Sequence, residues 1–343
     1  MMNPKRLGKC LSLALAIASS TAWAQVGELY NADVTEKTSI SDPAKSIKAA
    51  EGQWLAFSLP AIEGTHSPCC WKGRWSGMGE VGCSLEQGHQ SYGTRSDSPL
   101  TENVIVFSEI RDGQVHDLRV FGEHCPVDGD GEKVTWIGSV DNTDGLDWLE
   151  TVARSDGGGS ALFAFALHRS FDAGERLYSL AKEAESDFSQ EAIFWLGEAR
   201  GEEGFKLLKR LLDELPNGDR RREINFALSQ NNTTQAAELL LEISRSDPDP
   251  EQRGEAMFWL AQEYPKQAKD WLLEVINTEQ DEDVLEDAVF AISQLPSDSG
   301  SEMLLDLARD EQLSRDVRRQ ALFWLAQSDD DKTIVALTEL LTR

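Results

Sequence analysis

Cysteine is absent beyond residue 125 of this 343-residue chain, and basic residues are scarce throughout. Lys and Arg number 33 against 60 Asp and Glu, for a net charge of -27. Such a surface repels phosphate backbones and anionic headgroups, which argues against nucleic acid as a partner. No apolar run reaches the roughly 20 residues that a membrane-spanning helix needs. No serine nucleophile elbow, phosphate loop or Walker motif occurs. Paired carboxylates such as Asp281-Glu282-Asp283 carry no specificity in a chain this acidic. These gaps point away from an enzyme and from a bound cofactor.

The amino end has a charged start, Lys5, Arg6 and Lys9, then an apolar run from Leu11 to Ala18 and the small-residue segment Ala22-Trp23-Ala24. This order is that of a secretory signal peptide spanning 1–24, cleaved after Ala24. It predicts a periplasmic or secreted protein. Lys9 stands where a lipoprotein signal wants a small residue ahead of Cys10.

Four cysteines follow the signal: Cys69, Cys70, Cys83 and Cys125. An even number in an exported chain reads as structural disulfides. The vicinal pair would close a strained ring, so Cys69 and Cys70 are expected to bond elsewhere, one to Cys83 and one to Cys125. His66, His89 and His124 lie among them and make a metal-binding or thiol-redox role the rival reading. No paired Cys-x-x-Cys framework supports it, and no metal ligands are assigned.

A glycine run, 156–159, divides the chain. Residues 25–155 read as a small, disulfide-stapled β-rich (α+β) domain. Gln53 to Leu59 alternates, with Leu55, Phe57 and Leu59 opposite Trp54 and Ala56. Asn103 to Ile110 and Gln114 to Phe121 are strands joined by Arg111-Asp112-Gly113, a hairpin signal because both turn residues tolerate positive φ. Lys133 to Gly138 is a fourth strand. Leu146, Leu149 and Val152 recur at helical spacing. Residues 25 to 50 show no clear pattern.

Residues 160–343 are periodic. Phe163, Phe194, Phe226, Phe258, Phe290 and Phe323 follow one another at steps of 31, 32, 32, 32 and 33. Fourteen residues after each come Leu177, Leu208, Leu240, Leu272, Leu304 and Leu337. Two apolar centres per unit predict six stacked helical hairpins, an all-α solenoid. Ala192, Ala256, Ala288 and Ala321, two residues before a Phe, let neighbouring helices approach. The phenylalanines, and Trp195, Trp259 and Trp324 beside them, are expected in the core between hairpins. Asp249-Pro250 fits an N-cap followed by proline at the first helical position.

The run Asp316-Val317-Arg318-Arg319-Gln320-Ala321-Leu322-Phe323-Trp324-Leu325-Ala326 resembles the signature of the short HEAT-like repeats first named from phycobilisome lyases. Ile193-Phe194-Trp195-Leu196-Gly197 keeps that signature's glycine. The resemblance spans 160–343, and the cysteine-bearing front is similar to regions ahead of HEAT repeats in other exported bacterial proteins. Deoxyhypusine hydroxylases in this class hold iron with His-Glu pairs, yet no such dipeptide occurs here and His168 is the only histidine in the repeats. The resemblance implies second helices lining a concave ligand face. Lys206, Lys209, Arg210 and Glu238 on those helices are then the partner-binding candidates. The expectation is a non-enzymatic protein–protein interaction scaffold acting on another protein in the periplasm. The oligomeric state is left open.

Overall fold

A five-stranded sheet stands between two apolar layers and gives the front half its shape. The computed structural model describes residues 27–39, 42–70, 83–86, 92–93, 99–155, 159–183, 186–215 and 218–327. The expected signal segment therefore lies outside the described residues, as do Leu337 and the expected second helix of the sixth hairpin.

Among the described residues the strands are β1 (Glu28–Tyr30), β2 (Asp33–Glu36), β3 (Gln53–Pro60), β4 (Cys69–Cys70), β5 (Cys83–Ser84), β6 (Tyr92–Gly93), β7 (Asn103–Arg111), β8 (Gln114–Gly122), β9 (Pro126–Asp128) and β10 (Lys133–Ser139). The central sheet has the order β2-β10-β3-β7-β8, and β1, β9 and β5 form a second sheet. The four strands legible in the alternation are β3, β7, β8 and β10. The β7–β8 turn takes the predicted form, with Asp112 and Gly113 at φ of 53° and 71°. Glu51 accepts hydrogen bonds from both turn amides at 2.8 and 3.0 Å. The segment without a pattern supplies β1 and β2, which pair in parallel with β9 and β10. Each offers a single apolar side chain inward, Leu29 or Val34, too few for a period to show.

Alternation along β3 sorts its side chains to two faces, and both are buried. Leu55, Phe57 and Leu59 join Val104 and Val106 against α2 (Asn142–Ala153) and α3 (Gly159–Leu167). Trp54 and Ala56 join Phe107 and Trp136 against the second sheet, where Leu29, Val127, Cys83 and Cys125 close the layer. The first of these cores continues without a break into the helices that follow.

After α3 the helices are α4 (Phe171–Ala181), α5 (Asp187–Ala199), α6 (Gly201–Glu214), α7 (Asp219–Gln230), α8 (Thr234–Ser246), α9 (Pro250–Glu263), α10 (Pro265–Thr278), α11 (Glu282–Ser293), α12 (Ser297–Arg309) and α13 (Arg315–Ala326). They pair as five hairpins and the first helix of a sixth among the described residues. A short α1 (Pro43–Ser46) precedes β3. Ser170, Ser186, Thr233, Asp249, Asp281 and Ser314 cap the helix starts through their side-chain oxygens. Asp249 accepts from the Glu251 amide with Pro250 at the first helical position, as its sequence predicts.

The first helices, α3, α5, α7, α9, α11 and α13, pack directly on one another along the row. Among the second helices only α4 and α6 approach comparably. Small side chains set this difference. A Cβ on Gly197 would meet the Ala227 carbonyl oxygen at 2.1 Å, so α5 and α7 touch backbone to backbone. Ala192, Ala256, Ala288 and Ala321 are fully buried in the same layer. A stack whose units touch on one side and splay on the other bends toward the touching side. The first helices therefore line the inner face, the reverse of what the resemblance implies.

Candidate interaction face

Helical register separates the buried stripe of each first helix from its aromatic edge. Ile193, Leu196, Met257, Leu260, Val289 and Ile292 are buried, one position before or two after the recurring Phe. The Phe itself points about 100° away from its predecessor around the helix. Phe163 is buried, but Phe194, Phe226, Phe258 and Phe290 are only half-buried, and Phe323 is 53 % exposed. Trp195, Trp259 and Trp324 are half-buried too. The expectation that the rings fill the core between hairpins holds for Phe163 and is corrected for the others. From Phe194 onward the rings edge the core and reach solvent on the first-helix face.

The rings form one unbroken chain. Phe163 lies 4.9 Å from Trp195, which contacts Phe194 at 4.9 Å. Phe194 stacks on Phe226 at 5.8 Å with an interplanar angle of 18°. Phe226 meets Trp259 at 4.7 Å, and Trp259 meets Phe258 at 4.8 Å. Phe258 stacks on Phe290 at 5.6 Å and 9°, Phe290 meets Trp324 at 4.9 Å, and Trp324 meets Phe323 at 5.0 Å. These separations suit offset and edge-on ring pairs.

One turn before Phe194, Phe226, Phe258 and Phe290, on the same face, stands a carboxylate: Glu191, Glu223, Glu255 and Asp287. One turn after stand Glu198, Gln230, Gln262 and Gln294. The helical repeat thus lays an acid row, an aromatic row and a mostly amide row side by side across the hairpins. The Gln262 side-chain amide donates to Gln294 Oε1 at 2.9 Å, linking the outer row. Burial, with Asp187 nearby, raises the Glu191 carboxyl above its ordinary value. Burial does the same at Glu255. Asp287 is pushed up to about 6, first by burial and then by Asp283, Glu286, Glu251 and Asp281. An open cleft of 470 Å³ lies at the middle of the face, lined by Arg222, Glu251, Gly254, Glu255, Phe258, Asp287 and Phe290. Gly254 makes room there.

Of the partner-binding candidates chosen from sequence, Lys206, Lys209, Arg210 and Glu238 are all exposed on α6 and α8. They do not form one group. Arg210 turns toward α4, pairs with Glu175 at 3.1 Å and lies 3.8 Å over the Tyr178 ring. Lys209 lines a separate 380 Å³ cleft with Asp213, Glu242 and Asp247.

The cysteine region resolves one pairing: Cys69 is bonded to Cys125, with Cα atoms 5.5 Å apart. The Cys83 Sγ lies 3.5 Å from that of Cys125, so three sulfurs converge where β5 and β9 meet. The Cys70 side chain and His89 fall outside the described residues. Among the described residues no group of three or more His, Cys, Asp or Glu is placed to hold a metal ion.

His168 is fully buried at the end of α3, and its Nδ1 accepts from the Ser170 amide at 3.1 Å. Burial, then the charges of Arg200 and Arg169, push its pKa down to about 4. Arg200 holds this junction, and sequence reasoning missed it. Its guanidinium donates to the carbonyls of Ala166 and His168 at 3.0 Å and of Ser170 at 3.1 Å, closing the end of α3.

The aromatic face was also missed, though its signal is in the sequence. Polar residues three before and four after Phe194, Phe226, Phe258, Phe290 and Phe323 place these rings on a polar-flanked edge. Residues 237–315 match the family model described as HEAT repeats. Repeats of this kind are commonly protein-interaction scaffolds and generally non-catalytic. No curated protein matches the chain. No helix among the described residues is long and apolar enough to cross a membrane.

Proposed function

We propose, from the premise that the helical row is built of HEAT repeats, that this protein is an exported, non-enzymatic scaffold that binds another protein. The observation that carries the reading is the aromatic chain running from Trp195 to Phe323, partly open to solvent on the inner face. Contiguous apolar surface of this kind marks interaction sites on soluble proteins. The amino-terminal pattern of charge, apolar run and small residues supports export, and the bonded Cys69–Cys125 pair fits an oxidising compartment. The inner face, rather than the exposed Lys206, Lys209, Arg210 and Glu238, is the docking surface.

Site-directed photo-crosslinking in intact cells tests this. A crosslinker at Gln262, on the first-helix face, should capture one reproducible protein, while one at Lys209 should capture only abundant bystanders. Capture from Lys209 alone would return the site to the second helices. Bystanders from both positions would sink the scaffold reading.

A further inference from the structure

We infer that the front domain carries a site of its own: a cleft at one end of the central sheet that binds a small uncharged polyol, such as a single sugar ring. The site is independent of the scaffold reading, which concerns the helical row.

A register jump shapes the cleft. Pairing between β10 and β3 passes from Trp136–Ala56 to Ser139–Ser58, three residues against two. Gly138 lies in this bulge at φ of 86°, a conformation that residues with a Cβ rarely adopt. The Ser139 hydroxyl thereby comes to 2.8 Å from that of Ser58. Gly27, just before β1, and Glu123, just after β8, help to line the space beside them, a cleft of 390 Å³. Small-molecule sites span roughly 300–1,000 Å³.

Three observations define what fits. First, Trp136 lines the cleft yet is 2 % exposed, and its indole Nε1 has no hydrogen-bond acceptor. Trp136 pairs with Ala56, and Ser58 stands two residues along β3, so the indole and the hydroxyl pair belong to one face of the sheet. A buried donor without an acceptor is costly, and an oxygen of a ligand relieves it.

Second, Glu123 offers an acceptor whose charge is already cared for. Its carboxylate accepts from the Glu102 and Asn103 amides at 3.0 and 3.3 Å, and from Asn103 Nδ2 at 3.0 Å. Burial pushes its pKa up, but these bonds, with His124 nearby, outweigh burial and hold it below the ordinary carboxylate value. The group stays ionised and has a lone pair left on Oε2, so it asks for a donor rather than a counter-ion. No Lys, Arg or His is among the described residues lining the cleft, so an anionic ligand meets only repulsion there.

Third, the remaining polar side chains include the Ser58, Ser139 and Thr38 hydroxyls, which both donate and accept. A ligand must therefore present acceptors and donors close together, on a frame that tolerates Ile105. Neighbouring ring hydroxyls do both at every oxygen. A hydrocarbon does neither, and a simple amine does not accept.

The test uses the full chain with ¹⁵N-labelled tryptophan, titrated in turn with glucose, galactose, N-acetylglucosamine and myo-inositol. At least one should bind saturably and move the indole N–H signal of Trp136 downfield, that signal being assigned by its loss in Trp136→Phe. Trp136→Phe keeps a ring but removes the donor, and should weaken the ligand about tenfold. Ser58→Ala and Ser139→Ala should each weaken it several-fold, and they decide the matter if Trp136→Phe fails to fold. Glucuronate or galacturonate should bind at least tenfold more weakly than the parent sugar.

No saturable binding by any of the four would overturn the inference. So would binding that leaves the Trp136 signal unmoved, or that survives the tryptophan and serine variants, since the sugar would then sit on another surface. Uronates binding as tightly as their parent sugars would refute the part given to Glu123. Putrescine moving the Trp136 signal where the sugars do not would assign the cleft to amines instead. None of these outcomes touches the crosslinking at Gln262, so the scaffold reading stands or falls separately.

Discussion

Single residues hold the junctions of this fold. Arg200 is buried, and its guanidinium serves the carbonyl end of α3 while pairing with Glu203 at 2.8 Å. Replacing it with Met removes the donor shared by the carbonyls of Phe165, Ala166, His168 and Ser170 and by the Glu203 carboxylate, and strands those acceptors, so Arg200→Met should cost about 3 kcal/mol. Urea denaturation followed by circular dichroism measures it, and a loss within experimental error of zero would refute the capping role. Asp287 makes the opposite case. Its carboxyl is raised from 3.8 to about 6, so the folded state holds that proton more tightly than the unfolded chain does. Stability on its account is fully present below pH 3.8 and falls as pH rises through 6. Asp287→Asn should therefore raise the melting temperature at pH 7.5, with the gain shrinking as pH is lowered to 4. A gain of equal size at both pH values would show that the carboxylate's charge is not the cause.

Helix spacing rests on glycines that differ in what they touch. Gly197 faces the Ala227 carbonyl oxygen at 2.1 Å from a notional Cβ, and that backbone cannot rotate away. At Gly254 the nearest atom is Asp287 Oδ2 at 2.0 Å, the end of a side chain that can turn. Alanine gains about 1 kcal/mol over glycine in a helix interior, whereas overpacking costs roughly 1–3 kcal/mol. Gly197→Ala should accordingly destabilise, and Gly254→Ala should be close to neutral while narrowing the cleft. Thermal melts of the two variants side by side decide it; equal effects would refute the backbone contact between α5 and α7. Buried polar groups fix the same layer. Asn225 takes the place that Ile193, Met257 and Val289 hold in other repeats, and its side-chain amide donates to Gln252 at 3.0 Å. Asn231 donates to the carbonyls of Gly197 at 3.0 Å and Gly201 at 2.9 Å, tying the α7–α8 turn to the preceding hairpin.

The whole molecule is joined more closely than a glycine linker implies. The face of the central sheet that carries Leu55, Phe57 and Leu59 is covered by α2 and α3, and its core runs on into the helical row. Backbone hydrogen bonds add to this: the Ile62 amide donates to the Leu167 carbonyl at 2.9 Å, and the Arg169 amide to the Pro60 carbonyl at 2.9 Å. A fragment of residues 27–155 uncovers the part of the sheet against which α3 packs. It should bind a hydrophobic dye such as ANS and aggregate, whereas a fragment of residues 27–183 should bind far less. Equal dye binding would show that the sheet domain closes its own core. Separate cores, by contrast, would let the two halves melt independently.

Repetition is a property of the chain itself. A period near 32 residues, two apolar centres per unit, and alternation in β3, β7, β8 and β10 determine hairpins and strands because they set local burial. The capping residue Asp249 is legible for the same reason: it acts within one turn. Which side of the row closes up, and so which helices carry the inner face, was decided only in three dimensions. It depends on backbone contact between residues far apart in sequence, Gly197 on Ala227 above all. The recurring phenylalanines show both limits. Their spacing announces the fold, but whether a ring is core or surface turns on the 100° between one helical position and the next, and on what the neighbouring hairpin leaves uncovered.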